Sequence, residues 1–287
     1  MLIALKLKLA VAAGLLAAPV AMHSLAPATI ASDTEFAEIA PAAFGYRMAG
    51  DFSRGGRPVE GPQSTIRLSE NLRIMKHQVT VAEYSRCIEA GACPKIAIAD
   101  HRPDLPMVGV SWHDADAYAA WISKAAGVTY RLPTDQEWTF AAAESVKDEI
   151  APLIDPSDPA QAWIARYEAE AARAASVVLA PQPVGTFGRN SNGLLDVGGN
   201  VWEWTQSCFV RAALDAETVR VTNRNCGVRV VEGAHRTYMT DFIRDTRTGG
   251  CAAGVPPANL GFRLVVVSGF SGMRAVISNL FGRPGRS

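Results

Sequence analysis

The sequence predicts an α+β fold in which a few helices and many short strands are joined by long ordered loops. Three segments, beginning at Thr80, Ser111 and Thr134, place Asp or Glu three residues after the Ser or Thr, which is the spacing of a helix-capping box. The stretches that favour strands are short, scattered and rich in β-branched residues. Together these observations indicate an irregular fold with little regular secondary structure.

The local signals place each element along the chain. The capping boxes predict helices over 80–89, 111–126 and 134–143, and Gly91 and Gly127 follow the first two as stops. Asp158 followed by proline predicts a fourth helix through 174. Strands are predicted over Thr65–Leu68 and Leu72–Met75, which are expected to pair with each other, and over 228–232 and 261–267.

The N-terminus has the composition of a secretory signal peptide, which we assign to residues 1–31. Lys6 and Lys8 precede a short apolar run that small residues follow, and cleavage after Ala21, Ala28 or Ala31 stays open. The alternative is an uncleaved membrane anchor, but the run is shorter than the roughly 20 residues of a spanning helix. We therefore expect a periplasmic or secreted protein with no transmembrane span once the signal is removed.

Composition bounds what the rest of the chain can be. Residues 32–267 are long enough for one large domain with a sizeable core. The chain has 28 basic and 28 acidic residues, so its formal net charge is zero, and the basic residues form no cluster. A nucleic-acid partner is therefore not expected. Ile150–Ser176 is an insertion rich in alanine and glutamate. The tail, residues 268–287, is amphipathic, which is consistent with a helix docked on a partner or on a membrane surface, but docking on the domain itself or disorder is the favoured alternative.

Four of the five cysteines stand in two pairs around polar segments. Cys87 and Cys93 bracket a short loop, and Cys208 and Cys226 bracket a segment without clear periodicity. A surface loop with a cysteine at each foot favours a local disulfide in an oxidising compartment. Four cysteines permit three connectivities, of which we predict the two local pairs. Cys251 is left over, either as a free thiol or as an inert small residue.

The most distinctive stretch is Asp196–Trp204, which reads D-V-G-G-N-V-W-E-W. Carboxylates of Asp196 and Glu203, together with backbone carbonyls, are the hard oxygen ligands that calcium prefers. The alternative interpretation is a tight turn with two buried indoles and two solvated carboxylates. The stretch by itself does not choose between them.

Five short motifs follow one another in a fixed order: Gln78–Thr80, Val108–Trp112, Arg131–Trp138, Gly199–Trp204 and Asn259–Val265. In this order they resemble the formylglycine-generating enzyme family, also called the sulfatase-modifying factor domain. The resemblance runs from about Phe44 to Val266. It implies a C-type-lectin-like fold of low regular secondary structure that is held by buried tryptophans, disulfides and calcium. Cysteine pairs at the two places noted above are also common among bacterial relatives.

The resemblance also implies a structural calcium site. Asp196 and Glu203 match the positions of side-chain ligands, and Gly199 and Val201 match the positions of backbone-carbonyl ligands. The family's other calcium site lies in a loop before Pro183, where this chain has the helical insertion instead. We therefore expect one calcium ion.

The family's reaction converts a cysteine of a sulfatase peptide to formylglycine at a copper ion held by two cysteines, because Cu(I) prefers thiolate ligands. Alignment back from Arg263 puts the family arginine on Arg247 and the two cysteines on Met239 and Arg244. A permanently charged arginine repels a metal ion. Copper, and with it the formylglycine oxidase reaction, is therefore not expected here.

The same segment contains the candidates for a functional cleft, which are His235, Met239, Arg244, Arg247 and Cys251. Its arginines are suited to an anionic ligand, and its histidine to acid–base work or to a single metal contact. The alternative is an Arg–Asp network that replaces the lost metal site and supports the cleft. No His-x-x-x-His pair is present, so an iron oxygenase is poorly supported.

We expect an exported maturation or accessory factor that acts on another exported protein or peptide partner. The segment Val231–Leu264 also resembles exported family members encoded beside copper nitrite reductases, which suggests that association. The first alternative is an oxidative enzyme that modifies a peptide or a peptide-derived metabolite in the periplasm. The second is a lectin-like ligand-binding module.

Overall fold

The computed structural model describes residues 34–146, 164, 167–168, 180–215, 218–241 and 256–267. Its three complete helices begin where the sequence predicts them: α1 (Val81–Glu89), α2 (Trp112–Ala126) and α3 (Asp135–Ala142). In each, the capping hydroxyl accepts from the third backbone N–H of the helix, and the side chain of that third residue accepts in return. Gly127 ends α2 in the left-handed conformation at φ 70°.

The strands form three sheets, and their bounds are as follows: β1 (Phe36–Ile39), β2 (Ala43–Arg47), β3 (Asp51–Arg54), β4 (Arg57–Val59), β5 (Gln63–Arg67), β6 (Leu72–Met75), β7 (Thr129–Arg131), β8 (Trp202–Leu214), β9 (Val219–Glu232), β10 (Thr237–Thr240), β11 (Leu260–Gly261) and β12 (Val265–Val267). One sheet has the order β1-β6-β12-β7, and a small one pairs β2 with β5. The largest has the order β10-β9-β8-β3-β4, with β11 added parallel to β8. With three helices beside these sheets, the α+β class is confirmed.

The predicted pairing of Thr65–Leu68 with Leu72–Met75 is wrong. Both segments contain strands, but β5 pairs with β2, whereas β6 lies between β1 and β12 in another sheet. Closeness in sequence favours a hairpin, yet three of the four side chains of β6 are buried and those of β5 are mostly exposed. The difference in burial separates the two strands, because only β6 belongs to a core.

The polar segment between Cys208 and Cys226 is also not a loop. It lies in a long antiparallel ribbon of β8 and β9, which pairs from Glu203 with Glu232 to Leu214 with Val219 and contains register shifts. Its polar residues lack the strand alternation because the outer part of β9 is exposed along its whole length. The predicted strand over 261–267 is likewise interrupted, since β11 ends at Gly261 and β12 begins at Val265.

Both predicted disulfides are confirmed. Cys87–Cys93 closes the end of α1 with its Cα atoms 5.3 Å apart, and Cys208–Cys226 links β8 to β9 with its Cα atoms 4.5 Å apart. In the main core, α1 and α2 contact the Phe262 segment through aromatic rings, which are stacked between Tyr84 and Tyr118 and edge to face between Tyr118 and Phe262. Tyr118 lies 5.7 Å from the ring of Tyr84 and 5.5 Å from that of Phe262, and all three rings are buried.

Several sequence predictions fall outside the described residues. These are the signal peptide, the tail, nearly all of the insertion with its fourth helix, and Arg244, Arg247 and Cys251. Over the part of the chain that the structure describes, none of the helices combines the length and the apolar character needed to span a bilayer.

Candidate functional site

Glu203, at the start of β8, is the centre of a fully buried polar network. Arg263 donates to both of its carboxylate oxygens, from Nε at 2.6 Å and from a terminal nitrogen at 2.7 Å. Trp138 Nε1 and Gln78 Nε2 each donate to one of these oxygens at 2.8 Å. The remaining N–H groups of Arg263 reach the carbonyls of Met75, Lys76 and Leu195. Four segments far apart in sequence are thereby fixed around one ion pair.

Asp196 is buried as well, and it organises the turn that precedes β8. Its two carboxylate oxygens accept from the backbone N–H of Gly185 at 2.6 Å and of Phe187 at 2.8 Å. Its own backbone has φ 59°, in the left-handed region, and Gly198 follows at φ 71°. The carboxylate therefore holds the 185–187 loop against the turn. These contacts stabilise a backbone conformation that residues other than glycine rarely adopt.

The predicted calcium ligands can be compared with these contacts. Every carboxylate oxygen of Asp196 and Glu203 already accepts from at least one N–H donor, and the charge of Glu203 is balanced by Arg263. In the described residues, no group of three or more His, Cys, Asp or Glu side chains converges as a metal site. In this arrangement the residues do not fit a calcium cage, because an ion would have to displace these donors. The calcium ion stays a prediction of the sequence.

The segment that begins at His235 sends its side chains in different directions. Met239 on β10 packs against the main core, while Tyr238 on the other face lies 2.6 Å from the backbone nitrogen of Gly50, which donates to its hydroxyl. Burial raises the pKa of Tyr238 to about 12. Met239 is therefore a packing residue, and its thioether is a weaker metal ligand than the thiolate expected of the family.

Arg236 forms the second buried charge cluster, which ties β9, α3 and β2 together. Its Nε lies 2.6 Å from Glu232 and 3.1 Å from Asp135, and one of its terminal nitrogens donates to the carbonyl of Arg47 at 2.7 Å. The hydroxyl of Tyr46 donates to Asp135. This Arg–carboxylate network is the structural alternative that the sequence left open, although its acids come from other segments than expected.

The cluster contains two carboxylates for one cation. Burial raises the pKa of Glu232 well above its ordinary value, and the nearby charge of Asp135 raises it further. Burial and Asp135 also raise the pKa of Tyr46. For Arg236, burial works in the opposite direction, but the two carboxylates outweigh it and raise the pKa. Glu232 therefore keeps a proton into a pH range where an exposed glutamate has lost it.

His113 and Asp241 come together beside the end of β10. His113 Nε2 lies 3.2 Å from the Asp241 carboxylate, which is nearly buried, whereas the histidine side chain is 54% exposed. The guanidinium of Arg229 lies 3.9 Å over the ring of Trp112, next to them. The two residues are 128 positions apart, so this pairing is a result of the tertiary fold.

His235 lies against Trp202, whose indole N–H donates to the backbone carbonyl of His235 at 3.2 Å. Their rings meet edge to face at 5.3 Å. A cavity of about 50 Å³ beside them is lined by Trp138, Glu232 and Arg236 among others. The space is sufficient for a few atoms at most, so it does not accommodate a peptide or a sugar.

A larger and mainly apolar cleft of about 530 Å³ lies on the side of Ile98, Val108, Pro181 and Ala258. The backbone N–H of Trp202 donates to the carbonyl of Asn259, the residue after Ala258, at 2.9 Å. Asp100 and Arg102 also line the cleft and form an ion pair at 3.0 Å. Size and lining are those of a ligand-binding site.

Sequence reasoning missed the two buried ion-pair clusters. A signal for the first was present, because Arg263 stands between Phe262 and Leu264 inside an apolar motif, and a charge there needs a buried partner. A similar signal preceded the second, since Glu232 follows two valines that complete a strand. Which acid meets which base depends on the pairing of distant segments.

The comparisons with known proteins agree with this architecture. The family profile described as "Sulfatase-modifying factor enzyme 1-like domain" matches residues 45–267. The chain therefore belongs to this family, and the resemblance of the five motifs is confirmed.

Individual relatives share about a third or less of their residues with this chain over the aligned segments. "Inactive C-alpha-formylglycine-generating enzyme 2" of Mus musculus is 34% identical over 171 residues, which cover 58% of this chain and 50% of the mouse protein. "Formylglycine-generating enzyme" of Streptomyces coelicolor is 31% identical over 173 residues, which cover 56% of this chain and 52% of that enzyme. The chain thus spans about half the length of the curated relatives it matches. The structure of PvdO from Pseudomonas aeruginosa aligns with a TM-score of 0.52 at 21% identity and covers 82% of this chain and 95% of that one, which shows a shared fold.

Proposed function

We propose that this protein is an exported accessory or maturation factor for another periplasmic or secreted protein, and that it does not carry out copper-dependent formylglycine formation. The proposal includes the signal peptide of residues 1–31, the C-type-lectin-like version of the fold and the suggested association with a nitrite reductase. On this proposal the protein keeps the fold of the family and lacks the copper-dependent reaction.

The observation that carries the proposal is the use of the cysteines. The chain has five, and four of them form the disulfides Cys87–Cys93 and Cys208–Cys226. That leaves one further cysteine, Cys251, whereas the family's copper site needs two thiolates. Met239, at the position of one family cysteine, packs against the core instead. The name of the mouse relative, which describes that protein as an inactive formylglycine-generating enzyme, gives independent support for a family member without the reaction.

The first experiment tests for the family reaction. The purified protein is loaded with Cu(I) and incubated in air with a peptide that contains Cys-x-Pro-x-Arg, and mass spectrometry follows the cysteine. The Streptomyces coelicolor enzyme serves as the positive control. We expect no formylglycine from this protein. Copper-dependent conversion above the metal-free control would overturn the proposal.

A second experiment tests the accessory role in the source organism. The gene is deleted, and the activity and copper content of periplasmic nitrite reductase are measured against its antigen level. We expect lower activity at unchanged antigen, restored by the wild-type gene and by a Cys251→Ser variant. Full activity in the deletion strain would refute the association with nitrite reductase.

One observation favours a second candidate function, a lectin-like ligand-binding module. The 530 Å³ cleft lined by Ile98, Val108 and Pro181 among others is large enough for a small ligand, and its lining is mainly apolar. Metal analysis and a search for converted product separate this candidate from the oxidative enzyme. A bound ligand that is recovered unchanged, without stoichiometric copper or iron, supports binding. Stoichiometric copper or iron with a modified peptide supports the enzyme.

A further inference from the structure

Strand β9 has one edge that is only partly paired. Its inner edge pairs with β8 along the whole ribbon, from Val219 to Glu232. On its outer edge, β10 covers only Val228–Val231, and the Asp241 N–H extends this pairing by one bond, to the carbonyl of Gly227 at 3.0 Å. Within the described ranges, no strand pairs with the outer edge of residues 219–226. That edge is about 26 Å long at the usual rise per residue.

The same part of β9 is open to solvent on both faces. Every residue from Val219 to Gly227 is exposed, including the apolar side chains of Val219 and Val221 at 41% and 43%. The partner strand β8 differs, because its Ala212 and Leu214 are buried against Phe52. Among the described residues, nothing covers the edge or the faces of this stretch, so another extended chain can approach it there.

The opposite edge of this sheet shows how such an edge is ordinarily protected. β4 is only three residues long and contains Pro58, which has no N–H to donate. The outer part of β9 has neither feature, since it is long and contains no proline. An exposed edge of this kind is a template for the addition of another strand.

Charge indicates which kind of strand would be added. Arg220 and Arg224 are both exposed on this stretch, and neither forms an ion pair with a described carboxylate, whereas Arg211 on β8 lies 3.8 Å from Asp51. Pairing of this edge with a second copy of itself would bring like charges together, which is unfavourable. An acidic strand would place carboxylates beside the two guanidinium groups.

The disulfide adds rigidity at this place. Cys208–Cys226 joins β8 to β9 where β9 passes from its paired part to its open part. An edge held in the extended conformation before binding loses less conformational entropy when a partner adds to it.

We infer that the outer edge of β9, residues 219–226, binds an extended acidic segment of another protein by β-strand addition. Main-chain hydrogen bonds supply the affinity, and Arg220 and Arg224 select for acidic side chains. This inference specifies which kind of segment the partner of the accessory factor offers. It rests on the proposed function in one respect, namely that the partner is an exported protein.

Fluorescence anisotropy tests the inference with a synthetic eight-residue probe that alternates valine or threonine with glutamate. Two control probes replace glutamate by lysine, or carry N-methyl groups on alternate residues so that one side of the backbone cannot donate. We expect the acidic probe to bind best, each control probe to bind about tenfold more weakly, and added salt to weaken the acidic probe.

The matched protein variants locate the binding surface. The double variant Arg220→Glu/Arg224→Glu should weaken the acidic probe about tenfold or more, since two favourable contacts become repulsive. Arg57→Glu, on the opposite edge of the same sheet, should bind like the wild type. Circular dichroism checks that both variants keep the fold.

Three outcomes of the peptide-binding experiments would overturn the inference. These are no binding of the acidic probe, equal binding of the N-methylated probe, and equal binding by the double variant. Concentration-dependent dimerisation that the double variant abolishes would also overturn it, because the occupant would then be a second copy. Peptide binding is measured on the purified protein, whereas the proposed function is tested in a deletion strain. Absence of peptide binding therefore contradicts this inference alone, and full nitrite reductase activity in the deletion strain contradicts the proposed association.

Discussion

The buried pair of Glu203 and Arg263 provides the most direct test of the fold. Glu203→Gln removes the charge but keeps the size of the side chain, and it leaves the Arg263 guanidinium fully buried without a counter-charge. Breaking a buried pair by removal of one partner costs about 3–5 kcal/mol. Since domains are stable by only about 5–15 kcal/mol, the variant should lose a large part of its free energy of unfolding.

Urea denaturation of the oxidised protein, followed by tryptophan fluorescence, measures this loss. Trp138 and Trp204 are both buried near the pair, so their emission reports unfolding of this region. The matched control is Glu38→Gln, which breaks the exposed pair of Glu38 with Arg73 at 3.0 Å. Such surface pairs contribute less than about 1 kcal/mol.

A double-mutant cycle adds Arg263→Gln alone and in combination with Glu203→Gln. We expect the double variant to be more stable than the sum of the single losses predicts, by about 1–3 kcal/mol, because its buried charges disappear together. The reasoning is refuted if Glu203→Gln costs no more than Glu38→Gln, or if the two changes at the pair are additive.

Three further predictions follow from the same contacts. Because the pKa of Glu232 is raised by burial, the folded state holds a proton that the unfolded state releases above about pH 4.3. Stability should therefore fall as pH rises from there through the folded pKa, and Glu232→Gln should flatten this slope. Removal of calcium with EGTA should leave the melting temperature unchanged, since N–H donors already hold the carboxylates of Asp196 and Glu203, and a clear decrease would instead support the calcium ion that the sequence predicts. Thr134→Ala should cost about 1 kcal/mol in urea denaturation by removing the α3 cap, with Thr186→Ala, exposed and outside any helix, as the control that should change little.

The helices and disulfides were predictable because their signals are local. A capping box such as that of Thr134 satisfies backbone N–H groups within its own helix turn, so its geometry does not depend on the remainder of the chain. Cys87 and Cys93 are likewise joined across one short loop. Pairing of strands was not predictable in this way, as the separation of β5 from β6 shows. A strand selects its partner by which of its faces is buried, and this depends on residues far along the sequence.

The candidate site divides along the same line. The sequence by itself determined the family, through five motifs in one order, and it predicts that thiols are lacking where the family's copper ligands belong. Tertiary structure alone decided that Glu203 meets Arg263 across 60 residues and that Asp135, Glu232 and Arg236 share one buried cluster. It also decided that, among the described strands, none pairs with the outer edge of β9 at residues 219–226. The physical reason is that burial makes an ion pair or a paired edge necessary, and burial is a property of the packed molecule and not of any one segment.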